Sequence, residues 1–161
     1  MPTSFSNFRI WRGRFPHWRA DGVRYYVTFR HRRELDEAER TLMLRQLIRP
    51  QGKRWNVMIA CVLPDRTELI FTVEEDFTGR PFELSDIVEA AKRKAGAQIV
   101  KQTGERFPPF YGESFDRIIR DDIELDERWQ LICSAPVQAE LSQEPEEYNH
   151  LWVVPGARES E

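Results

Sequence analysis

Cysteine is nearly absent from this chain. Cys61 and Cys133 are its only two, at no metal-binding or redox spacing, and each falls in an apolar stretch where a small buried hydrophobe is expected. Histidine is almost as scarce: His17, His31 and His150 stand far apart and form no recognisable ligand pattern. No apolar run approaches the ~20 residues of a membrane helix, and the N-terminus lacks the continuous apolar segment of a secretory signal. A soluble, cytoplasmic protein is therefore expected, with no membrane partner. Internal repeats, low-complexity runs and glycine-rich phosphate loops are missing too, which removes the nucleotide-binding signatures.

What is present suits a folded domain. Of 161 residues, 40% are apolar and 12% aromatic, enough for one real core. The net charge of −3 conceals an asymmetry. Residues 1–33 carry eight arginines against Asp21 alone, and residues 121–161 carry eleven acids against Arg128 and Arg158. The pattern divides the chain into a basic aromatic arm (1–20), a domain (21–141) and an acidic tail (142–161). Arginines interleaved with aromatics in the arm, at Arg9, Trp11, Arg12, Arg14, His17, Trp18 and Arg19, have the composition that clamps a phosphate backbone and stacks on bases. The same arm could instead pack on the domain or on the acidic tail, and composition leaves that choice open.

The chain centres on residues 55–74, an apolar run, a turn at Leu63-Pro64-Asp65 and a second run, which predicts an antiparallel hairpin. Its first strand is apolar at nearly every position, as a strand covered on both faces is. Its second alternates, with Leu69, Phe71 and Val73 on one face and Arg66, Glu68, Ile70 and Thr72 on the other. Arg66 and Glu68, at i and i+2 after a turn, occupy a geometry suited to a metal ion. Their chemistry is not, because a guanidinium has no lone pair to donate and one carboxylate alone is not a site.

Around the hairpin, residues 23–30 predict a strand with Val23, Tyr25, Val27 and Phe29 on one face. Asp36 and Glu39 form a capping box for a helix with apolar Leu42, Met43, Leu44, Leu47 and Ile48. A second helix is expected from an N-cap at Ser85 to about Lys101. Its basic cluster Lys92, Arg93 and Lys94 lies mostly off the apolar stripe, either as a solvated face or as a phosphate contact. Residues 110–120 predict a fourth strand, and a last helix runs from Asp122 to Ser134, stopped near Pro136. On that helix Leu125, Trp129, Ile132 and Cys133 form the core stripe, and Leu131 sits opposite beside Glu124 and Glu127. The order β-α-β-β-α-β-α suggests an α+β, ferredoxin-like, four-stranded antiparallel sheet.

Together these segments resemble the REP-associated tyrosine transposases, of the IS200-like type. The opening FRIWRGRFPHWRADGVRYYVTFRHRR resembles the family's start, where "PHW" precedes a strand ending in "VTFR". VLPDRTELIF is similar to its "MPNHVHLL" stretch, ESFDRIIRDDIELDERWQLICSAPVQAEL to "ESYDRIIRDEEELDEKWQYIRNNPVKAGL", and EPEEYNHLW to "PEDYPWLW". The resemblance spans roughly residues 8–152. It implies a ferredoxin-like HUH domain that nicks single-stranded DNA at hairpin-forming repeats. In that chemistry two histidines hold magnesium or manganese on the scissile phosphate, and a helix-borne tyrosine attacks to leave a phosphotyrosine. Carried over, the histidine positions fall on Arg66 and Glu68 and the tyrosine on Leu131, while Ala135, Gln138 and Glu140 also depart from the family pattern.

No catalytic residue, metal ligand or cofactor is therefore expected. The leading expectation is a transposase-like pseudoenzyme that binds hairpin or single-stranded DNA through the arm and Lys92, Arg93 and Lys94. The alternatives are an enzyme using Tyr111 or Tyr148 with Asp65 or Glu68, and a protein-interaction module whose acidic tail or altered site binds a partner protein. DNA versus RNA, and monomer versus homodimer, stay open.

Overall fold

A computed structural model describes residues 23–155; the arm, with all seven of its candidate contact residues, lies outside them. The sheet is built on β2 (Trp55–Val62), all eight of whose residues are buried. It pairs antiparallel with β3 (Arg66–Val73), as the hairpin pattern predicts. On the outer side of β3 lies β1 (Arg24–Arg30), followed by β4 (Phe115–Ile119). The four-strand order β4-β1-β3-β2 is ferredoxin-like, and a fifth strand, β5 (Leu151–Val153), is added against β2.

A strand buried on both faces requires cover on both. One face carries α1 (Glu37–Ile48) and α2 (Leu84–Thr103), which pack Met43, Leu47, Ile87, Val88, Ala91, Ala95 and Ile99 against Val27, Phe29, Leu69 and Phe71. The other carries α3 (Asp122–Gln138), whose Leu125, Trp129, Ile132 and Cys133 are fully buried against Met58, Ile59, Cys61 and Ile70. Burying one such aliphatic side chain stabilises the fold by about 1.5–3 kcal/mol. A bulge at Met58 lets both Met58 and Ile59 join the α3 side, although strand alternation would divide them. Among the described residues no helix is long and apolar enough to cross a membrane.

Helix ends test the local reading. The Asp36–Glu39 capping box is present, and Arg33 reinforces it by binding Glu39 through two nitrogens at 2.8 Å each and Glu105 at 2.6 Å. That guanidinium holds the Glu105 carboxyl down at about 2. Ser85 does not cap α2, which starts one residue earlier after Glu83 and runs on to a left-handed Gly104 (φ 77°). Within α2, Gly96 is required by packing, since a Cβ there would lie 2.7 Å from the Pro108 side chain. Pro136 does not stop α3 before it, because a proline near the C-terminus removes only one amide bond; the helix continues to Gln138. The predicted strand over 110–120 is shorter, with Phe110 making only an isolated bridge to His31.

The larger departure concerns the region expected to be an acidic tail. Residues 145–154 complete the sheet: Tyr148 is buried and donates its hydroxyl to the Val62 carbonyl at 2.7 Å, and Val154 donates its amide to the Met58 carbonyl at 2.9 Å. Glutamates 144, 146 and 147 frame a 3-10 turn (Pro145–Glu147) on the way. Removing residues 142–161 should therefore lower unfolding stability by at least about 3 kcal/mol, from the burial lost at Tyr148 and Val154 and the exposure of the β2 edge. Urea denaturation followed by tryptophan fluorescence measures this, and a truncated chain as stable as the parent would contradict it.

Candidate nucleic-acid interface and its altered active-site positions

The turn between β2 and β3 sets the first part of the site. Arg66 opens β3, and strand alternation sends its side chain and that of Glu68 to the α3 face while Thr67 points to the other. Arg66 Nε donates to Glu68 Oε2 at 2.8 Å, and its Nη1 donates to Asp65 Oδ1 at 3.2 Å. The Glu68 side chain is only 13% exposed, so its charge needs this partner; Arg66, at 36%, keeps one edge in solvent. A cation is thus already supplied by the chain itself. The residues present do not fit a divalent metal, since among the described residues both carboxylates beside the turn, Asp65 and Glu68, are held by the fixed positive charge of Arg66.

One histidine lies nearby, and it was not singled out by its sequence position. His31, buried just past the end of β1, meets the Phe110 ring edge to face and bonds through both ring nitrogens. Nδ1 lies 2.8 Å from the Pro64 carbonyl and Nε2 2.9 Å from Thr67 Oγ1. A carbonyl only accepts, so Nδ1 carries the proton and Nε2 accepts from the threonine. Burial keeps this imidazole below its ordinary pKa and hence neutral. Both nitrogens are engaged on the α1–α2 face, away from Arg66 and Glu68.

Across from the ion pair stands α3. Leu131 is 59% exposed on its outer side, as the helical spacing predicts. One turn earlier, Arg128 holds its guanidinium 4.6 Å from the Tyr26 ring centre. Tyr26 lies on the same sheet face; burial first, then the Glu68 charge, pushes its phenol up. The pair Tyr26–Arg128 thus connects the Arg66–Glu68 end of the site to the Leu131 helix. Leu131 itself borders a cleft of about 590 Å³ shared with Arg117, Arg120, Ile123, Glu124 and Glu127. The face expected to be acidic is mixed, because β4 brings Arg117 and Arg120 to Glu124. A bond from the Arg120 amide and another from Arg117 keep the Glu124 carboxyl below its usual range.

The basic cluster of α2 is split. Arg93 and Lys94 are exposed, whereas Lys92 is 4% exposed, with Nζ 4.8 Å from the Phe29 ring centre, 3.2 Å from Ser114 Oγ and 3.4 Å from Glu89. Burial lowers its pKa. Lys92 anchors the approach to β4, its ammonium turned into the chain. Other basic groups are likewise consumed: Arg24 pairs with Asp122 at 3.0 Å, and Arg32 covers Tyr111 at 5.2 Å. Tyr111 is 44% exposed and Tyr148 buried. Among the described residues, no three histidine, cysteine, aspartate or glutamate side chains converge on a metal-sized site.

No protein-family model matches the chain, and no curated protein matches it. The structure is similar to that of a REP-associated tyrosine transposase solved bound to a REP hairpin, with a TM-score of 0.58 at 15% identity over 85% of this chain and 80% of that one. A putative transposase from Deinococcus radiodurans R1 aligns at a TM-score of 0.47 and 13% identity, over 68% of this chain and 88% of the other. The chain thus shares the fold of that REP-associated tyrosine transposase, an α+β antiparallel sheet with helices on both faces.

The ion pair gives a stability test. Arg66→Ala leaves the Glu68 carboxylate unpaired and should cost about 1–3 kcal/mol, whereas Arg66→Ala combined with Glu68→Gln should recover about 1 kcal/mol of that. A double-mutant cycle in urea reads the coupling; strictly additive changes would mean that the two side chains do not support each other.

Proposed function

We propose that this chain binds hairpin or single-stranded nucleic acid, with DNA as its partner, and does not cut it. The observation that carries the reading is the Arg66–Glu68 ion pair, standing where the resemblance puts a pair of metal-binding histidines. A guanidinium there can hold a phosphate by charge and paired hydrogen bonds, but it lowers no barrier to in-line attack without a nucleophile. Leu131, where the resemblance puts the attacking tyrosine, has no lone pair to offer. Binding without a metal or other cofactor follows from the same residues. The partner is suggested by the hairpin bound to the transposase that shares this fold.

An active enzyme with displaced groups is the weaker reading. Tyr148 has its hydroxyl committed to the Val62 carbonyl and its phenol pushed up by burial. Asp65 and Glu68, the bases such an enzyme would need, are both bound by Arg66. Tyr111 alone is accessible, and the Arg32 guanidinium covers its ring. A protein-interaction role through the acidic C-terminal region is also weakened, since residues 145–154 serve the sheet.

The principal contacts are assigned to the arm residues Arg9, Trp11, Arg12, Arg14, His17, Trp18 and Arg19, with Arg93 and Lys94 of α2 in support. Fluorescence anisotropy should give tighter binding to a DNA hairpin with a single-stranded foot than to random duplex of equal length, weakening as salt rises. Replacing Arg12, Arg14 and Arg19 by alanine should weaken binding and lower the slope of log K against log salt by about one unit per lost contact. Equal affinity for hairpin and duplex, or an unchanged triple variant, would contradict the assignment.

A further inference from the structure

On the face of the sheet away from Arg66 and Leu131, two grooves flank α1. The first, about 600 Å³, lies between α1 and the β5 segment and is floored by Leu44, Ile48 and Trp152, with Thr41, Asn149 and His150 on its wall. The second, about 180 Å³, lies between the C-terminal half of α1 and α2, beside Ala90 and Ala91. Gln46 and Arg49 line both, so the grooves meet across α1.

The charge along this path is of one sign. Arg45, Arg49, Lys53, Arg54 and Lys94 line it, against Glu37 alone. Arg45, Arg49, Lys53 and Lys94 make no ion pair within the described residues, unlike Arg24, Arg33, Arg66 and Arg117, each of which is held by an acid. Arg45 and Arg49 are one helical turn apart on α1, so they project as successive rungs along the groove. Unpaired cations in a row are repulsive unless something negative lies on them. The floor is of the opposite character. Trp152 is half-buried on β5, an edge strand, and among the described residues its indole is the large aromatic ring of the grooves, with the smaller His150 imidazole beside it.

We infer that the Trp152–Arg45–Arg49–Lys94 path is a second binding surface for a single-stranded nucleic acid. Trp152 stacks a base in the larger groove, and the arginines and Lys94 carry the phosphates across α1 toward α2. This inference rests on the nucleic-acid reading given above and adds to it a surface on the other side of the sheet. An apolar stacking floor beside a line of unpaired cations fits a strand of bases and phosphates; an acidic peptide would use the cations and leave the ring without a planar partner.

Strand register places this surface near the start of the described chain. Arg24 of β1 pairs with Thr72, and Thr72 pairs with Asn56. The described chain therefore begins at the sheet end where Lys53 and Arg54 stand, two strand spacings or roughly 10 Å away.

The test uses the full chain, a fluorescein-labelled fifteen-residue oligo-dT, which forms no hairpin, and the labelled hairpin. Arg45→Ala, Arg49→Ala and Lys94→Ala combined should weaken oligo-dT binding at least about tenfold and lower the salt slope by about two units, at ~0.7 per single-strand contact. Trp152→Leu should weaken it about tenfold with the slope unchanged, and Trp152→Tyr, which keeps a ring, should restore most of the loss. If the parent binds oligo-dT and the triple variant binds it equally with the same slope, the surface is overturned while the arm reading survives. If Trp152→Leu is silent and polyglutamate competes as well as oligo-dT, the path is a general polyanion surface and the stacking assignment is overturned. A parent that binds neither oligo-dT nor hairpin overturns both readings together.

Discussion

Strand β2 is the constraint on which the rest depends. With all eight residues buried, it cannot lie at the surface of a single-layered sheet or at an open edge. Hydrogen bonding secures its flanks, β3 on one side and β5 on the other. Apolar burial secures its faces, α1 and α2 above and α3 below. Each partner explains a feature of the site. Covering the lower face brings α3, and with it Leu131, opposite β3. Pairing the open edge brings Trp152 beside α1.

The turn between β2 and β3 holds charges of its own, with Arg66 bound by Asp65 from the turn and by Glu68 from β3. Farther along, Tyr26 lies under Arg128, and Glu124 draws in Arg117 and Arg120. Glu68 and Glu124, the mostly buried members, are costly to leave unpaired. On the opposite face Arg33 is held by Glu39 and Glu105, whereas Arg45, Arg49, Lys53 and Lys94 make no ion pair among the described residues.

Much of the fold was legible because it depends on local periodicity. The two strands of the hairpin, the Asp36–Glu39 box and the α3 stripe with Leu131 outside it all follow from spacings of two or 3.6 residues. What escaped depends on contacts between distant segments. β5 is three residues long and has no pattern of its own; it is a strand because β2 needs an edge partner. Lys92 sits at a helical position that looks polar, yet the chain entering β4 closes over it. Leu131 seemed surrounded by acids because Arg117 and Arg120 belong to another element. His31 gave no signal, since its partners, Pro64 and Thr67, lie more than thirty residues away. Of the arm, which carries most of the expected nucleic-acid contacts, the described residues say nothing.

The central claim, binding without cutting, is tested most directly by incubating the protein with end-labelled hairpin DNA and manganese and resolving the products on a denaturing gel. The account predicts intact DNA and no covalent adduct, at protein concentrations where a native gel shows the complex. It further predicts that Arg66→His, Glu68→His and Leu131→Tyr must all be introduced before any nick can appear, because a tethered nucleophile and a polarised phosphate are both needed. A phosphotyrosine adduct from the unmodified chain, mapped to Tyr111, Tyr148 or any other tyrosine, would contradict it.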